Sequence, residues 1–550
     1  MKRRDFLTLS AAGAIVPARR RAEAFQESRG QDGGAEPDYI VVGAGSSGCV
    51  IVNRLSADPD IRVLLIEAGA SGEADAAVTT PGRWVSLLGS QYDWAYTTEP
   101  EPALANRRIG FPRGKALGGS SAINAMTHIR GHRLCFDRWQ AAGNPGWSHD
   151  DLLPFFKRSE RNDGGGSGHR GGDGPLAVSR GLDPHAGHQA FLEAASQQGF
   201  RADARHDFNV PEPEGVAGFY QKNILNGRRH SAAAAFLVPA LARPNLEVQS
   251  SARVTRLIAE GRRIVGVEYV QDGRRIRARA RREVVLCAGA VDSPRLLMLS
   301  GIGAADPLRA LGIAVVANLT GVGQNLQDHP KLSVRWTGRT MLPGSTVTAG
   351  LFTSSRSETP PDLQFYVGRG VDQPDAFVTI TVSLVRPQSR GTITLRSAEP
   401  FDAPLIHANY LQAQADVDAL VQGARLARLF GASTAYDQLR ADEVAPGRPA
   451  VSTADLEQFA RQQVDTIYHP AGTCRMGPAS DALAVVDAQL RVHGVEGVRV
   501  ADASIMPEVV NATTHAACIA IGEKCAALIT QAKESPARPP AGNTPTRRSR

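Results

Sequence analysis

The sequence lacks paired cysteine motifs and any apolar run of membrane-spanning length. No two cysteines stand in a C-x-x-C pair, which argues against a zinc or iron–sulfur site. The apolar run near the N-terminus is shorter than the roughly 20 residues that a helix needs to cross a bilayer. The six cysteines are scattered along the chain as Cys49, Cys135, Cys287, Cys474, Cys518 and Cys525. We therefore expect no metal centre and no transmembrane span.

The central part of the chain also lacks an excess of positive charge. The formal net charge is +7, but the surplus of Lys and Arg lies within residues 1–24 and 531–550. A nucleic-acid surface would need that charge on the folded body, so we expect no nucleic-acid partner. With 42% hydrophobic and 21% charged residues, the 550-residue chain is typical of a globular protein of more than one domain.

The N-terminus carries the pattern of an export signal. "KRRDFLTLSAAGAIVPA" places a pair of arginines before an apolar run, as in twin-arginine signals. We predict a signal over residues 1–24, with "AEA" at 22–24 as a candidate cleavage site, and a polar linker over 25–37. The predicted location is the periplasm.

A dinucleotide-binding motif opens the folded body. "YIVV" (39–42) is an apolar, β-branched run, and Gly43, Gly45 and Gly48 follow it with the G-x-G-x-x-G spacing. The helix that begins near Ser46 offers free N–H groups to a pyrophosphate. Glu67 ends the next apolar run, "RVLLI", where an acid contacts a ribose hydroxyl in such folds. This context predicts a dinucleotide site, although it does not separate FAD from NAD.

Two further stretches are rich in small residues. "GKALGGSSAINAM" (114–126) contains Gly119, Ser120 and Asn124, and "GAVDSPRLLMLSGIG" (289–303) follows the apolar run "EVVLCAG". Small residues let backbone lie against a planar cofactor, while N–H groups and hydroxyls reach its polar edge. Taken singly, each stretch could equally be a loop before a capped helix.

Taken together and in this order, these motifs resemble the glucose–methanol–choline (GMC) oxidoreductase family. "GVGQNLQDHP" (321–330) and "VADASIMPEVVNATTHAACIAIGEKCA" (500–526) are also similar to that family, and the resemblance extends from about residue 37 to 530. It implies α/β plus α+β architecture: a Rossmann-type FAD-binding domain and a substrate domain with an antiparallel sheet. It also implies FAD and oxidation of a small-molecule alcohol. Within the family the likeness is to choline dehydrogenases, but the sequence places no aromatic cage for a quaternary ammonium.

The resemblance changes the interpretation of "YHPAGTCRMG" (468–477). By itself, His469 is better explained as a structural histidine, because the stretch has no metal-ligand spacing. The family places this histidine at the reactive face of the flavin, with an Asn or His partner that aligns with His515. Alcohol oxidation by a flavin moves a hydride to flavin N5 and needs a base for the hydroxyl proton. We expect His469 to be the base and His515 to hold the substrate oxygen, although the two roles could be exchanged.

The resemblance also implies further cofactor contacts and the mode of attachment. Val254 lies on the strand that passes the adenine, and Asp502 and Ala503 lie where the chain turns beside the ribityl–pyrophosphate arm. Some members attach the flavin to a histidine immediately before the Asn of the first signature. Ile123 occupies that position here, so we expect non-covalent FAD.

The electron acceptor and the reaction class stay open at this stage. Export favours a dehydrogenase that passes electrons to a quinone or cytochrome, with O2 as the other acceptor. A cyanohydrin lyase with redox-silent FAD is the alternative on this scaffold.

The predicted organisation follows the motifs. Residues 38–330 form an N-terminal region that mainly binds FAD, with a substrate-domain part at about 145–240. The substrate-binding domain covers 331–465, residues 466–532 return to the FAD domain, and 533–550 form a disordered tail. Three finer expectations concern side chains and pairing: a hairpin within 377–397, structural roles for His128 and His329, and a solvated helix start at Arg228 and Arg229.

Overall fold

The computed structural model describes most of the chain. The described residues are 27–29, 36–180, 184–342, 347–356, 360–367, 377–450 and 452–534. The predicted export signal, most of the predicted linker and residues 535–550 lie outside them. Residues 27–29 form a strand within the predicted linker, and the last helix reaches Glu534, inside the predicted tail.

A five-stranded parallel sheet forms the first layer of the core. Tyr39–Val42 and Val63–Ile66 are buried at every position, as expected of parallel strands covered on both faces. The strands come from four distant parts of the chain, so this domain is discontinuous. In sheet order they are Leu246–Gln249, Val63–Ile66, Tyr39–Val42, Glu283–Leu286 and Val498–Val500.

A larger, mostly antiparallel sheet forms the second domain. Its strand Pro330–Gly338 alternates buried and more exposed positions, the pattern of a sheet with one face on the core. Only the last pair in the order is parallel. Seven strands are, in order, Arg440–Ala445, Pro330–Gly338, Phe377–Leu384, Leu363–Val367, Ala349–Thr353, Val216–Phe219 and Arg201–Ala202, and the eighth, Asp465–Thr466, pairs with Pro330–Gly338. The predicted combination of a Rossmann-type domain and an antiparallel-sheet domain is confirmed.

The predicted hairpin within 377–397 is wrong. Phe377–Leu384 pairs with Pro330–Gly338 and Leu363–Val367, so both of its edges are taken. The second run, Thr392–Thr394, pairs instead with Leu405–His407. The segment between the two runs contains Pro387, which has no N–H to give to a ladder.

The remaining elements cover the two sheets. A third sheet contains Glu27–Arg29, Arg274–Arg279, Arg263–Gln271 and Arg253–Glu260. The α-helices are Ser46–Leu55, Ala76–Thr79, Arg133–Ala141, His149–Ser159, Ala186–Gln197, Gly289–Leu299, Ala305–Ala310, Gln414–Ala432, Thr453–Gln463 and Thr514–Glu534. Short strands are Tyr96–Thr97, Gly110–Phe111, Glu160–Asn162, Leu176–Val178, Ile224–Leu225, Arg228–Arg229, Ile302–Gly303, Ala317–Asn318, Thr392–Thr394, Leu405–His407 and Asp465–Thr466. No helix in the described ranges has both the length and the apolar character needed to cross a membrane.

The first and last helices pack closely against each other. A Cβ on Gly522 would lie 2.8 Å from the carbonyl oxygen of Ser47, so the close approach requires glycine. Arg54 Nη2 donates to Glu523 Oε1 at 2.6 Å and Arg54 Nε donates to Oε2 at 2.9 Å. The Glu523 carboxylate is fully buried and Arg54 is 20% exposed. This ion pair and the close contact at Gly522 set the position of the last helix along the first, and thereby place their N-termini side by side.

Removing the Glu523 carboxylate should destabilise the protein. Glu523→Ala leaves the largely buried Arg54 without its counter-ion, and we expect the free energy of unfolding to fall by about 3 kcal/mol. Urea denaturation followed by circular dichroism measures it. Glu496→Ala is the control, because Glu496 and Arg263 are 75% and 50% exposed and such pairs contribute less than about 1 kcal/mol. Equal losses in the two variants would contradict this assignment.

Candidate active site

Both glycine signatures and both predicted histidines line one cavity. It opens at the carboxyl ends of the parallel strands and extends to the larger sheet. Its volume is about 350 Å³. The parallel-sheet side contributes the G-x-G-x-x-G loop, and the antiparallel sheet contributes side chains such as Gln364 and Tyr366. The carboxyl edge of parallel strands is where ligands bind in such folds.

The glycines of the first loop have separate roles. A Cβ on Gly43 would lie 2.5 Å from the Cys287 carbonyl oxygen, and one on Gly48 would lie 2.0 Å from the Gly43 oxygen. A Cβ on Gly119 would lie 2.7 Å from Gly45 Cα, so the first signature rests directly on this loop. A Cβ on Gly45 would meet only the Cys287 oxygen, at 3.7 Å, and would otherwise occupy the cavity. The loop therefore leaves open space at the start of the helix Ser46–Leu55, as a bound pyrophosphate requires.

Glu67 lies at the end of the second parallel strand and lines the cavity. Its two carboxylate oxygens accept hydrogen bonds from the backbone N–H groups of Ala44 and Gly69, both at 2.8 Å. Burial raises the pKa of Glu67 to about 7. The carboxyl group is thus held rigidly beside the glycine loop, where a ribose hydroxyl could contact it.

Val254 lines the same end of the cavity as Arg253 and Trp94. The Arg253 guanidinium lies 4.9 Å from the centre of the Trp94 ring. Arg253, the neighbour of Val254 in the chain, thus contacts the Trp94 ring in the wall of the cavity.

The first signature is held by a buried arginine that sequence reasoning placed in solvent. Arg229 is 4% exposed, and its Nη1 donates to the Asn124 carbonyl oxygen at 2.6 Å and to Asn124 Oδ1 at 2.8 Å. Its Nε donates to the Val78 oxygen at 2.7 Å. Ser120 Oγ accepts from the N–H of Gly114 at 3.1 Å. The expectation for Arg229 was wrong because "GRRHSAAAAF" contains nothing that distinguishes a buried arginine from a solvated one.

Asp502 joins the second signature to the C-terminal segment. Its Oδ2 accepts from the Gly289 N–H at 2.8 Å and from Ser293 Oγ at 2.6 Å, and its Oδ1 accepts from the Ser504 N–H at 2.8 Å. The next carbonyl, that of Ala503, accepts from the Gly472 N–H at 3.1 Å, in the loop that carries His469. Asp502 and Ala503 thus line the cavity and hold three of its loops together.

His469 contacts a second buried histidine. Its Nδ1 lies 3.0 Å from His329 Nδ1, with the rings at 89°, and its backbone N–H donates to Asp328 Oδ1 at 2.7 Å. Burial, His329 and Arg113 lower the pKa of His469 well below its usual range. The imidazole is therefore neutral at neutral pH, as a proton acceptor must be.

His515 lies at the start of the last helix and is 7% exposed. Its Nδ1 lies 2.8 Å from Ser46 Oγ, at the start of the first helix. Burial, and to a smaller extent the charge of Arg229, lowers the pKa of His515 to about 4. Ser46 was predicted as a cofactor contact, and the structure shows that its hydroxyl orients the second histidine.

Sequence reasoning missed the part that His329 and Asp328 play. His329 is fully buried against His469. The Asp328 carboxylate accepts hydrogen bonds from the backbone N–H groups of His329 and His469 and from Thr466 Oγ1. "NLQDHP" gave no sign of this, because the contact joins segments 140 residues apart. His128 is also buried and bonds Asn223, as a structural histidine would.

The chain belongs to the GMC oxidoreductase family. The family model described as GMC oxidoreductase matches residues 37–331 in its N-terminal part and 387–522 in its C-terminal part. The expectation of an oxidoreductase enzyme of this family, with its fold, is therefore confirmed.

Individual relatives cover nearly the whole chain. The chain is 42% identical over 568 residues to the mitochondrial choline dehydrogenase of Mus musculus, covering 96% of this chain and 94% of the relative. The crystal structure of pyridoxine 4-oxidase from Mesorbium loti has a TM-score of 0.84 at 34% identity, covering 90% of this chain and 99% of that one. Formate oxidase of Aspergillus oryzae RIB40, studied for FAD modification, has a TM-score of 0.83 at 28% identity, covering 91% and 99%.

The described residues contain no group of three or more His, Cys, Asp or Glu that could hold a metal ion. The six cysteines are all buried, and none forms a disulfide.

The open space at Gly45 predicts a selective loss of cofactor. Gly45 has a φ of −77°, which any residue adopts, and Asp is a favoured first residue for a helix. Gly45→Asp should therefore fold normally but fill the phosphate space with a negative charge. We expect the dissociation constant for FAD to rise by more than about tenfold, which corresponds to more than about 1.4 kcal/mol of lost binding, and the purified protein to contain less FAD than the wild type.

The exposed Gly110→Asp is the control, because a Cβ there meets nothing within 4 Å. FAD per protein is measured by absorbance, and folding by the melting temperature of the apoproteins. Full FAD occupancy in Gly45→Asp would show that the pyrophosphate does not lie at this loop.

Proposed function

We propose that the protein is an FAD-dependent alcohol dehydrogenase with two histidines at its reaction centre. The observation that supports this most directly is the convergence of His469 and His515, 46 positions apart, on a cavity that also carries both glycine signatures. The named activities of the relatives, which include choline dehydrogenase and pyridoxine 4-oxidase, point in the same direction.

The residues that would hold FAD fit it by geometry. The open space at Gly45 and the N-terminus of the helix at Ser46 suit the pyrophosphate, Glu67 the ribose, and the backbone at Val254 the adenine. Gly119, Ser120, Asn124, Asp502 and Ala503 line the remainder of the cavity, where the flavin would lie. When bound, the flavin would accept the hydride that leaves the alcohol carbon.

The hydrogen bonds of the two histidines favour complementary roles. If the His469 Nδ1–H donates to His329, then His469 Nε2 carries a free lone pair and can accept the hydroxyl proton of the substrate. If the Ser46 hydroxyl donates to His515 Nδ1, then His515 Nε2–H is a donor that can hold the substrate oxygen. His469 is thus the proposed base and His515 the proposed orienting donor.

FAD attachment and electron delivery are part of the same proposal. Ile123 lines the cavity at the position where some family members carry the flavin-bonded histidine, and its side chain cannot form that bond. We infer non-covalent FAD. The twin-arginine pattern in residues 1–24 supports a periplasmic enzyme that passes electrons to a quinone or cytochrome.

Replacing His469 tests the proposed reaction. His469→Ala removes the proton acceptor, so the rate of flavin reduction by alcohols should fall by about 10²–10⁴-fold. Anaerobic stopped-flow absorbance across a panel of alcohols measures it, and mixing the reduced enzyme with a soluble quinone or O2 then compares the acceptors. We expect faster reoxidation by the quinone.

His493→Ala is the matched control, because His493 bonds the Gly477 carbonyl oxygen and does not line the cavity. Near wild-type reduction in His469→Ala would refute the assignment of the base. Flavin that stays oxidised with every alcohol in the wild-type enzyme would favour the cyanohydrin lyase instead.

Non-covalent attachment has its own test. Denaturing the holoenzyme with acid and removing the precipitate should leave the FAD in the supernatant, because Ile123 offers no atom for a covalent bond to the flavin. The yellow absorbance of the supernatant is compared with that of the redissolved polypeptide. Yellow colour that stays with the polypeptide would contradict the proposal.

A further inference from the structure

A buried lysine lies in the wall of the cavity and has no part in the proposed chemistry. Lys222 is 3% exposed, and its Nζ donates to the Ala125 carbonyl oxygen at 3.2 Å, to Thr127 Oγ1 at 2.8 Å and to Thr348 Oγ1 at 2.9 Å. All four residues line the cavity that contains His469 and His515. The lysine therefore places an amine at the substrate side of the site, next to the end of the first signature.

This amine has no carboxylate partner among the described residues. All three of its acceptors are neutral oxygens. Burial lowers the pKa of Lys222 to about 7, so the charged form lacks stabilisation in the protein alone. The charge of another cation, Arg229, also lowers the pKa of Lys222. A buried cation is expensive without a counter-ion, and a bound anion would supply one.

The carboxylates that do line the cavity are engaged elsewhere. Glu67 accepts from the backbone of the glycine loop, Asp292 pairs with Arg295, and Asp502 joins the loops of the second signature. They belong to the dinucleotide half of the cavity. At the substrate end, the described part of the chain thus presents cations without a free carboxylate.

The two threonines around Lys222 add hydrogen-bond donors. Each hydroxyl accepts from the lysine, so its own hydrogen points elsewhere, and neither hydroxyl donates to any described group. The three N–H groups of the ammonium are used by Ala125, Thr127 and Thr348, so Lys222 supplies positive charge while the two free O–H groups supply hydrogen bonds to a carboxylate.

We propose that the substrate is an alcohol that carries a carboxylate, which accepts hydrogen bonds from Thr127 and Thr348 beside the positive charge of Lys222 while the hydroxyl group lies at the two histidines. This deepens the proposed function and depends on it for the reaction, though not for the binding of the anion.

The same geometry disfavours a quaternary ammonium, in spite of the likeness to choline dehydrogenases. Such a ligand needs aromatic faces or a carboxylate. Tyr468 lines the cavity, but the Lys331 ammonium already lies 5.2 Å from its ring centre, and that lysine pairs with Asp465 at 3.2 Å. The Tyr468 ring thus already contacts a cation of the protein itself, and the positive charge of Lys222 in the same cavity repels another cation.

A matched series of alcohols tests the proposal on the holoenzyme. The series HO–(CH2)n–X has n from 2 to 4 and X as carboxylate, carboxamide or trimethylammonium. We expect kcat/KM for flavin reduction to be about 10- to 100-fold higher for the best carboxylate than for its amide, the range of a charged hydrogen bond. The trimethylammonium compounds should be the poorest. Binding of carboxylates that lack the hydroxyl group, read as a shift of flavin absorbance, measures affinity without turnover.

Lys222→Met should abolish the preference. The carboxylate-to-amide ratio of kcat/KM and the ratio of the two dissociation constants should both fall to near one. Lys524→Met is the control, because Lys524 is also buried but lies outside the cavity, so both ratios should stay as in the wild type. If Lys222→Met does not fold, Thr348→Val keeps the lysine, removes one donor and should reduce both ratios several-fold.

The outcomes separate this proposal from the proposed function. Equal or better reduction by amides or trimethylammonium compounds would overturn the carboxylate assignment and leave alcohol oxidation intact. Tight carboxylate binding with no reduction by any alcohol would support the anion site and refute the reaction. A carboxylate preference that survives in Lys222→Met would also overturn the assignment.

Discussion

The packing of the last helix along the first is the contact on which the site depends. Ser46 begins one helix and His515 lies at the start of the other, and their side chains hydrogen-bond at 2.8 Å. The buried Glu523 and the glycine at 522 hold the two helices at that distance. Since the first helix also follows the phosphate loop, the second histidine is positioned by the same element that would bind the cofactor's pyrophosphate. In the proposed function, cofactor binding and substrate orientation therefore depend on the same pair of helices.

Burial determines the chemistry of the histidines. Desolvation lowers the pKa of His469 and of His515 far enough that both rings are neutral at neutral pH. Neutral rings have one donor and one acceptor nitrogen each, so the partner at Nδ1 decides what Nε2 can do. His329 is the partner of His469, and Ser46 is the partner of His515. The roles proposed for His469 and His515 thus depend on the side chains that contact their Nδ1 atoms.

The two lysines at the substrate end of the cavity differ in their charge partners. Lys331 is paired with Asp465, whereas Lys222 has only neutral acceptors. The two lysines of this cavity are therefore not equivalent. Lys331 has a counter-ion within the protein, whereas the proposed counter-ion of Lys222 is the carboxylate of the substrate. The relatives of the chain include choline dehydrogenases, but the substrate has to be inferred from the charges in the cavity and not from overall similarity.

The sequence by itself determined the fold class, the cofactor motif and the pair of candidate histidines. These depend on local patterns: buried apolar runs, glycines required by close backbone contacts, and motifs in a fixed order. Tertiary structure alone decided the partners of each group, because those contacts join distant segments. His329 reaches His469 across 140 residues, Arg229 reaches Asn124 across 105, and Thr348 reaches Lys222 across 126. A hydrogen bond depends on distance in space, and no spacing along the chain reveals it before the chain has folded.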